Sequence, residues 1–325
     1  MKYRKIYERT LQRRRESPLF GQLYNISSGE KQPPSLVPTG ELDYLSRHNG
    51  LLEYHDLFQK NLGTFYKHFT ASVPFIIEEQ CRIGLGICRL ARNLIENENN
   101  YLTFCEIGVG DGPNGRTLAE FSKGKIRTLS TSNSIYSKNN FYQLCNHNYS
   151  RFHHGSFIEI TPEYITSHVD LDLFRDGFNI IYENATFQFY GPEREDIIEY
   201  VARLLQEKGL MIFLEKLRCP DEREYKDREK IKDDLFKKKF FSDRDIAEKR
   251  LGILEVMESG QVDIESLVSA IEQNFKYVYL IWNSTNFYEF VASNNKTMVS
   301  EFLRLLPPPY LPSPFCVENN LPKRF

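Results

Sequence analysis

Residues 101–121, YLTFCEIGVGDGPNGRTLAEF, decide the reading of the fold. The run 101–107 is compactly apolar, as a strand buried in a parallel sheet is. Gly108, Gly110 and Gly112 follow it, and Pro113 and Asn114 stand where a helix begins. Pro suits a first helical turn, because its missing N–H has no partner to lose there. Glycine is needed where φ is positive, or where a Cβ would keep a ligand away from backbone N–H groups. Two chemistries use such a turn. Read from Gly110 the segment is G-x-G-x-x-G, which presents a helix N-terminus to a dinucleotide pyrophosphate. Read from Glu106 it is E-x-G-x-G-x-G, with a carboxylate at the strand end. That carboxylate repels a pyrophosphate and attracts the ammonium of a methionine moiety.

Outward from this stretch, strands and helices alternate. Further strands are expected at 125–131, 151–157, 178–182 and 210–214, separated by helices at 115–122, 138–146, 161–174 and 194–206. That order argues for a parallel sheet covered on both faces. A helix at 264–274 leads into two apolar runs, 275–282 and 287–292, around a short polar turn, which is a hairpin signal. Upstream, 41–97 is helical, with LLEYHDLFQKNLGTFYKHF as one helix and VPFIIEEQCRIGLGICRLARNLIE as a second that ends in ENENN. Residues 27–40 read as a loop. Residues 1–16 carry seven Lys or Arg against two Glu and place Tyr3, Ile6, Tyr7, Thr10 and Leu11 at helical spacing. This is expected to be a helix packed by its apolar face with its charges solvated. The insertion at 220–257 mixes both signs and is read as a solvated helix pair serving as a lid. The tail after 305 is Pro-rich and should be extended.

The chain has 325 residues, 14% aromatics, a net charge of −2 and a pI near 6.4. The balance does not suggest a polyanion binder. No apolar run approaches the roughly 18 residues of a membrane span. The N-terminus lacks the apolar core of a secretory signal, and the six cysteines are scattered without a C-x-x-C pair. A reducing cytoplasm is therefore the expected location, and no metal site is expected.

On FCEIGVGDGPNG, FNIIYENATFQFY, KGLMIFLEKL and the terminal hairpin, the chain resembles the class I, Rossmann-like, S-adenosylmethionine-dependent methyltransferases. The resemblance covers about 101–294. It implies an α/β fold with a mostly parallel sheet, an antiparallel last strand and helices on both faces. Here that fold carries a helical N-terminal cap (1–98), a catalytic domain (99–294) with a helical lid (218–260), and a C-terminal helix and tail (295–325). The implied cofactor is S-adenosyl-L-methionine, held by Glu106, Gly108, Gly110, Gly112, Asn133, Ser156 and Glu183. Two positions depart from the family. LSTSNS (129–134) holds no acid for the ribose, so Asn133 or Ser132 must serve. HGSF holds none for the adenine, so Ser156 must serve.

Methyl transfer is an in-line displacement governed by placement, and it needs a base only if the acceptor must lose a proton. Residues after the fourth strand should face the methyl, which makes Tyr182, Glu183 and Gln188 candidates. The Asn-Pro-Pro-aromatic motif of base- and amide-methylating enzymes is absent there. Glu215, ending the fifth strand, is the candidate general base; its alternative is an ion pair with Lys216 or a neighbouring Arg. His55 and Tyr66 in the cap are further acceptor-side candidates, and His55 is counted with Glu215 and Tyr182 as catalytic. The expected acceptor is a small molecule methylated on O, N or C. The assembly considered is a homodimer; a membrane or nucleic-acid partner is not expected. The rival readings are an RNA or protein methyltransferase using the basic N-terminal helix and Lys237–Lys239, and a non-catalytic scaffold.

Overall fold

The computed structural model describes the chain except residues 1, 18, 32–33, 35, 96–99 and 109. Residues 96–99 of the ENENN run, and with them the boundary between cap and sheet domain, lie outside the described residues. The strands are β1 (Leu102–Ile107), β2 (Ile126–Ser132), β3 (Ser150–His154), β4 (Phe178–Asn184), β5 (Leu205–Lys216), β6 (Tyr277–Ser284), β7 (Phe287–Ser293) and β8 (Lys323–Arg324). They form one sheet in the order β3-β2-β1-β4-β5-β7-β6-β8. β1 to β5 are parallel, and β7 runs antiparallel between β5 and β6. The chain steps outward from β1 to β3 and then returns to the other side of β1 with β4. This reversal opens a crevice beyond the carboxyl ends of β1 and β4, where ligands bind in open α/β sheets. The tail, expected to be extended, adds β8 to the free edge of β6.

The period-2 alternation of the strands divides the core between two faces. Phe104, Ile180 and Ile212 point to one side and pack with Tyr54, Ile83, Leu118 and Phe302. These come from helices Leu51–Lys60, Ile76–Leu94, Pro113–Phe121 and Lys296–Leu305. Cys105, Ile181 and Phe213 point to the other side and pack with Ile197, Leu267 and Ile271. Each fully buried large apolar side chain is worth roughly 1.5–3 kcal/mol over exposure. The helix Ile76–Leu94 buries residues around nearly its whole circumference. The N-terminal cap thus shares its core with the sheet.

Several boundaries differ from the sequence reading. The periodic run 51–69 breaks at Asn61–Gly63 into two helices, Leu51–Lys60 and Thr64–Thr70. Two contacts fix the break: the Arg116 guanidinium donates to the Asn61 carbonyl at 2.5 Å, and the Asp111 carboxylate accepts the Phe65 N–H at 3.2 Å. The helix expected over 194–206 stops at Ala202, and β5 begins at Leu205. The third strand ends at His154 rather than 157. A helix that sequence reasoning did not assign, Leu19–Ser28, follows the basic helix Lys2–Glu16. The basic helix buries Ile6 and Thr10, but its charges are not simply solvated. Arg9 pairs with Asp196 at 2.5 Å, and Arg13 and Lys2 pair with Glu193 and Glu199. Such half-exposed pairs contribute about 0–1 kcal/mol each, so they orient the helix more than they stabilise it. Among the described residues no helix is long and apolar enough to cross a membrane.

Candidate active site

The glycine loop leaves β1 with φ of +80° at Gly108 and +53° at Gly110. A Cβ on Gly108 would run into the Thr186 side chain, and one on Gly110 into the Phe65 ring. Gly112 precedes the helix Pro113–Phe121 as its N-cap and packs against Ser130. Asp111 is buried, and its bond to the Phe65 N–H ties the loop to the first turn of the cap helix Thr64–Thr70. Sequence reasoning did not single out Asp111; the position between two glycines gave no hint that its partner lay in the cap.

Glu106 lies beneath this loop, not in the open crevice. Its carboxylate accepts from Asn114 Nδ2 at 2.6 Å, from the Gly115 N–H at 3.2 Å and from Asn184 Nδ2 at 3.4 Å. Asn114 and Asn184 also donate to the Tyr66 hydroxyl, at 2.8 and 2.7 Å. Burial pushes the Glu106 carboxyl up to about 7, while the bonds from Asn114 and Gly115 hold it down. Glu106 therefore braces the first turn of the following helix and the end of β4 together.

Two cavities meet at Gly108. The first, about 200 Å³, runs along the glycine loop and is walled by Gly108, Gly110, Thr131, Asn133, Phe157 and Tyr190. Phe20 and Tyr24, from the unexpected helix Leu19–Ser28, close it from above. Asn133 Nδ2 donates to the Tyr190 hydroxyl at 3.1 Å, and its Oδ1 is buried with no partner among the described residues. Ser156 donates to the same hydroxyl at 3.4 Å and sits behind Tyr190 rather than on the wall. The second cavity, about 120 Å³, is lined by Phe65, Phe69, Val73, Ile253, Leu254 and Met257. Asn184 and Gln188 enter it, and each has a side-chain oxygen buried with no partner among the described residues. Gln188 and Tyr66 both line this second cavity.

The structure does not bring the three expected catalytic residues together. Tyr182 and Glu215 end up on opposite faces of the sheet, as the alternation of β4 and β5 requires. Tyr182 is buried against the helix Ile76–Leu94; its hydroxyl donates to Glu289 at 2.5 Å and accepts from Gln80 at 2.6 Å. Glu215 is buried in a two-point ion pair with Arg194, at 2.7 and 3.1 Å. This is the ion-pair alternative that the sequence allowed, with Arg194 as partner in place of Lys216. Lys216 instead pairs with Glu229 at 3.0 Å. His55 is buried in the cap beside Gln59 and Asp56 and lines neither cavity. Glu183 accepts the N–H groups of Thr186 and Phe187 through one carboxylate oxygen, which shapes the turn after β4, and it lines neither cavity. Burial first, and then the neighbouring Glu215 carboxylate, push Glu183 well above the usual carboxylate range.

The insertion corrects the picture of a solvated helix pair. Glu229, Lys232, Asp233 and Lys237 are buried, as is Lys249. Glu229, Lys232 and Asp233, at spacings of three and one, share one side of the helix Glu222–Leu235, and Lys237 follows in the turn Lys237–Lys239. Read with Tyr225 and Phe236 on the same side, that stripe was the available signal for an inward face.

No family model matches the chain, and no curated protein does. Solved structures do align with it. The plantazolicin methyltransferase BpumL, in complex with a monoazolic desmethyl analogue and S-adenosylhomocysteine (SAH), covers 91% of this chain and 100% of its own at 12% identity and a TM-score of 0.48. Mycolic acid cyclopropane synthase CmaA1, complexed with SAH and CTAB, covers 75% and 78% at 16% identity and a TM-score of 0.41. Mitomycin 7-O-methyltransferase MmcR covers 71% of this chain at 9% identity and a TM-score of 0.42, and the match spans only 56% of that enzyme. These likenesses are too general to carry an argument about chemistry. The assignment of fold rests on the sheet itself, with β7 inserted antiparallel between β5 and β6 beyond a glycine-rich β1 turn. This chain has a Rossmann-like fold, a mostly parallel sheet with one antiparallel strand inserted beyond β5.

Proposed function

We propose that the protein transfers a methyl group from S-adenosylmethionine to a small-molecule acceptor. The observation that carries this reading is the meeting of two cavities at Gly108, one along the glycine loop and one lined by apolar side chains. The first fits the nucleoside cofactor. Its glycines keep Cβ atoms out of the loop, and the unpartnered Asn133 Oδ1 is an acceptor for a ribose hydroxyl. Phe157 and Tyr190 give it aromatic walls, with ring centroids 4.9 Å apart. When bound, the cofactor supplies an electrophilic methyl group. The chain's own part is to exclude water and to orient the acceptor, for which the apolar second cavity is suited. No carboxylate lines the second cavity among the described residues; its basic lining is His68, Lys232, Lys237 and Lys249.

A small molecule is favoured over RNA because the two basic segments are largely committed. Three arginines and lysines of the first helix pair with acids on the helix Arg194–Ala202 and just before it. Lys237 pairs with Asp233, and Lys238 with Asp234 and Asp243.

The test is calorimetric titration with S-adenosylmethionine and SAH, with NAD as control. Saturable binding of the sulfur nucleosides alone is expected; binding of NAD alone, or of nothing by a folded protein, sinks the reading. A sharper form uses Asn133→Asp. A charge-assisted bond to a ribose hydroxyl is about twice as strong as a neutral one, so SAH affinity should rise by roughly tenfold. Unchanged or weaker binding would remove Asn133 from the cofactor wall.

A further inference from the structure

Three lysines also line the otherwise apolar cavity. Lys232, Lys237 and Lys249 all line it and all are buried. Burying an ammonium is costly unless it is paired. Lys232 is paired with Glu229 at 2.6 Å, and Lys237 with Asp233 at 2.8 Å. Both carboxylates are shared: Glu229 also holds Lys216, and Asp233 also holds Arg250. Of the four buried lysines here, three share two carboxylates. Lys249 is the one left over. It donates to Ser72 Oγ at 3.2 Å and lies 3.4 Å from the centre of the Phe241 ring. Among the described residues it has no carboxylate within ion-pair distance. Burial first, and then Lys237 and Lys31, push it down to about 6, with Asp245 acting the other way. Burial likewise holds Lys232 and Lys237 at about 8. A buried amine that faces a cavity without a carboxylate partner is complementary to a ligand's anion, which would hold its proton in place.

We infer that the methyl acceptor carries one anionic group, a carboxylate or a phosphate, which docks on Lys249 and Lys237 while its apolar body reaches toward Gly108. This rests on the methyl-transfer reading of the same site. Phe65, Phe69, Val73 and Met257 line the space for the body, and the reacting atom faces Gly108, where the two cavities meet. The lining then does two kinds of work: the lysines select for charge and the apolar residues present the acceptor atom.

The test compares 4-phenylbutyrate, 4-phenylbutyl phosphate and the uncharged 4-phenylbutanol by calorimetry on the full chain. At pH 6 at least one anion should bind about tenfold or more tighter than the alcohol, as a charged hydrogen bond in a buried site implies. The better of the two identifies the group. Raising the pH to 8 should shrink that preference, because the free Lys249 sheds its proton and must regain it on binding. The other groups facing it are Lys237, Lys31, Asp245 and the His68 ring, so Lys249→Met is needed to assign the effect. That variant should erase most of the preference and leave SAH affinity unchanged. It keeps the aliphatic stem and removes a buried amine that has no carboxylate partner, so the fold should tolerate it; Lys237→Met is the second variant. Equal affinity for the alcohol and both anions in the wild type would overturn the proposal, as would a full preference in both variants. The two readings fail separately. Discrimination of an anion by a protein that never binds SAH would overturn methyl transfer while the anion site stands.

Discussion

Gly110→Val abolishes measurable SAH binding and leaves the protein folded: this is the expected result of titration and thermal melting on that variant. The backbone at Gly110 has φ of +53°, a conformation that a β-branched residue adopts only under strain of roughly 1–3 kcal/mol. The new side chain would also meet the Phe65 ring. Phe65 is tethered through its N–H to the buried Asp111, so its ring can retreat only into the cavities it walls. Whichever side chain gives way moves into the space where the cavities join. Global stability suffers less, since the loop lies at the rim of the sheet and a domain's total is of order 5–15 kcal/mol. Gly110→Ala should show a weaker version of both effects. An unchanged affinity in Gly110→Val would mean that the glycine loop does not face the cofactor.

The parts legible in the sequence were those governed by local periodicity. The apolar β1, the three glycines, Pro113 at the helix start and the β6–β7 hairpin each declare their backbone within a few residues. The sheet order follows once those are placed. What escaped the sequence was settled by which face a side chain takes and by what lies across the fold. Tyr182 and Glu215 both end up near carboxyl ends of adjacent strands, yet a single residue's parity sends them to opposite faces. Glu106 was read as a ligand carboxylate, and its partners Asn114 and Asn184 are too far along the chain to be inferred from spacing. The helix Leu19–Ser28 carries mixed polar and apolar residues with little periodic signal, so its role over the first cavity appears only once the chain is folded. The buried lysines were hidden for the opposite reason. A run rich in both charges reads as solvated unless its inward stripe is counted.

Arg194→Met should be among the most destabilising single changes outside the glycine loop. Arg194 holds Glu215 through two bonds and also donates to the carbonyls of Gly191 and Gly260, at 2.5 and 3.1 Å. It therefore joins β5 to the start of the helix Arg194–Ala202 and to the end of the insertion. Removing one member of a buried pair leaves an uncompensated charge and costs about 3–5 kcal/mol. Here the stranded carboxylate also lies near Glu183, which burial and Glu215 already hold well above the ordinary range. The melting temperature should fall on the order of 10 °C at pH 8. The loss should lessen as the pH drops toward 5. With Arg194 gone, the folded-state pKa of Glu215 rises further above its unfolded value, so the deficit grows as pH rises through it and fades below. Arg194→Met combined with Glu215→Gln should recover much of the stability, because no charge is then left buried alone. That double variant also decides what Glu215 does. If Glu215 were the general base, methyl transfer would be lost even in the re-stabilised protein. If it only anchors Arg194, SAH binding and turnover return with the fold.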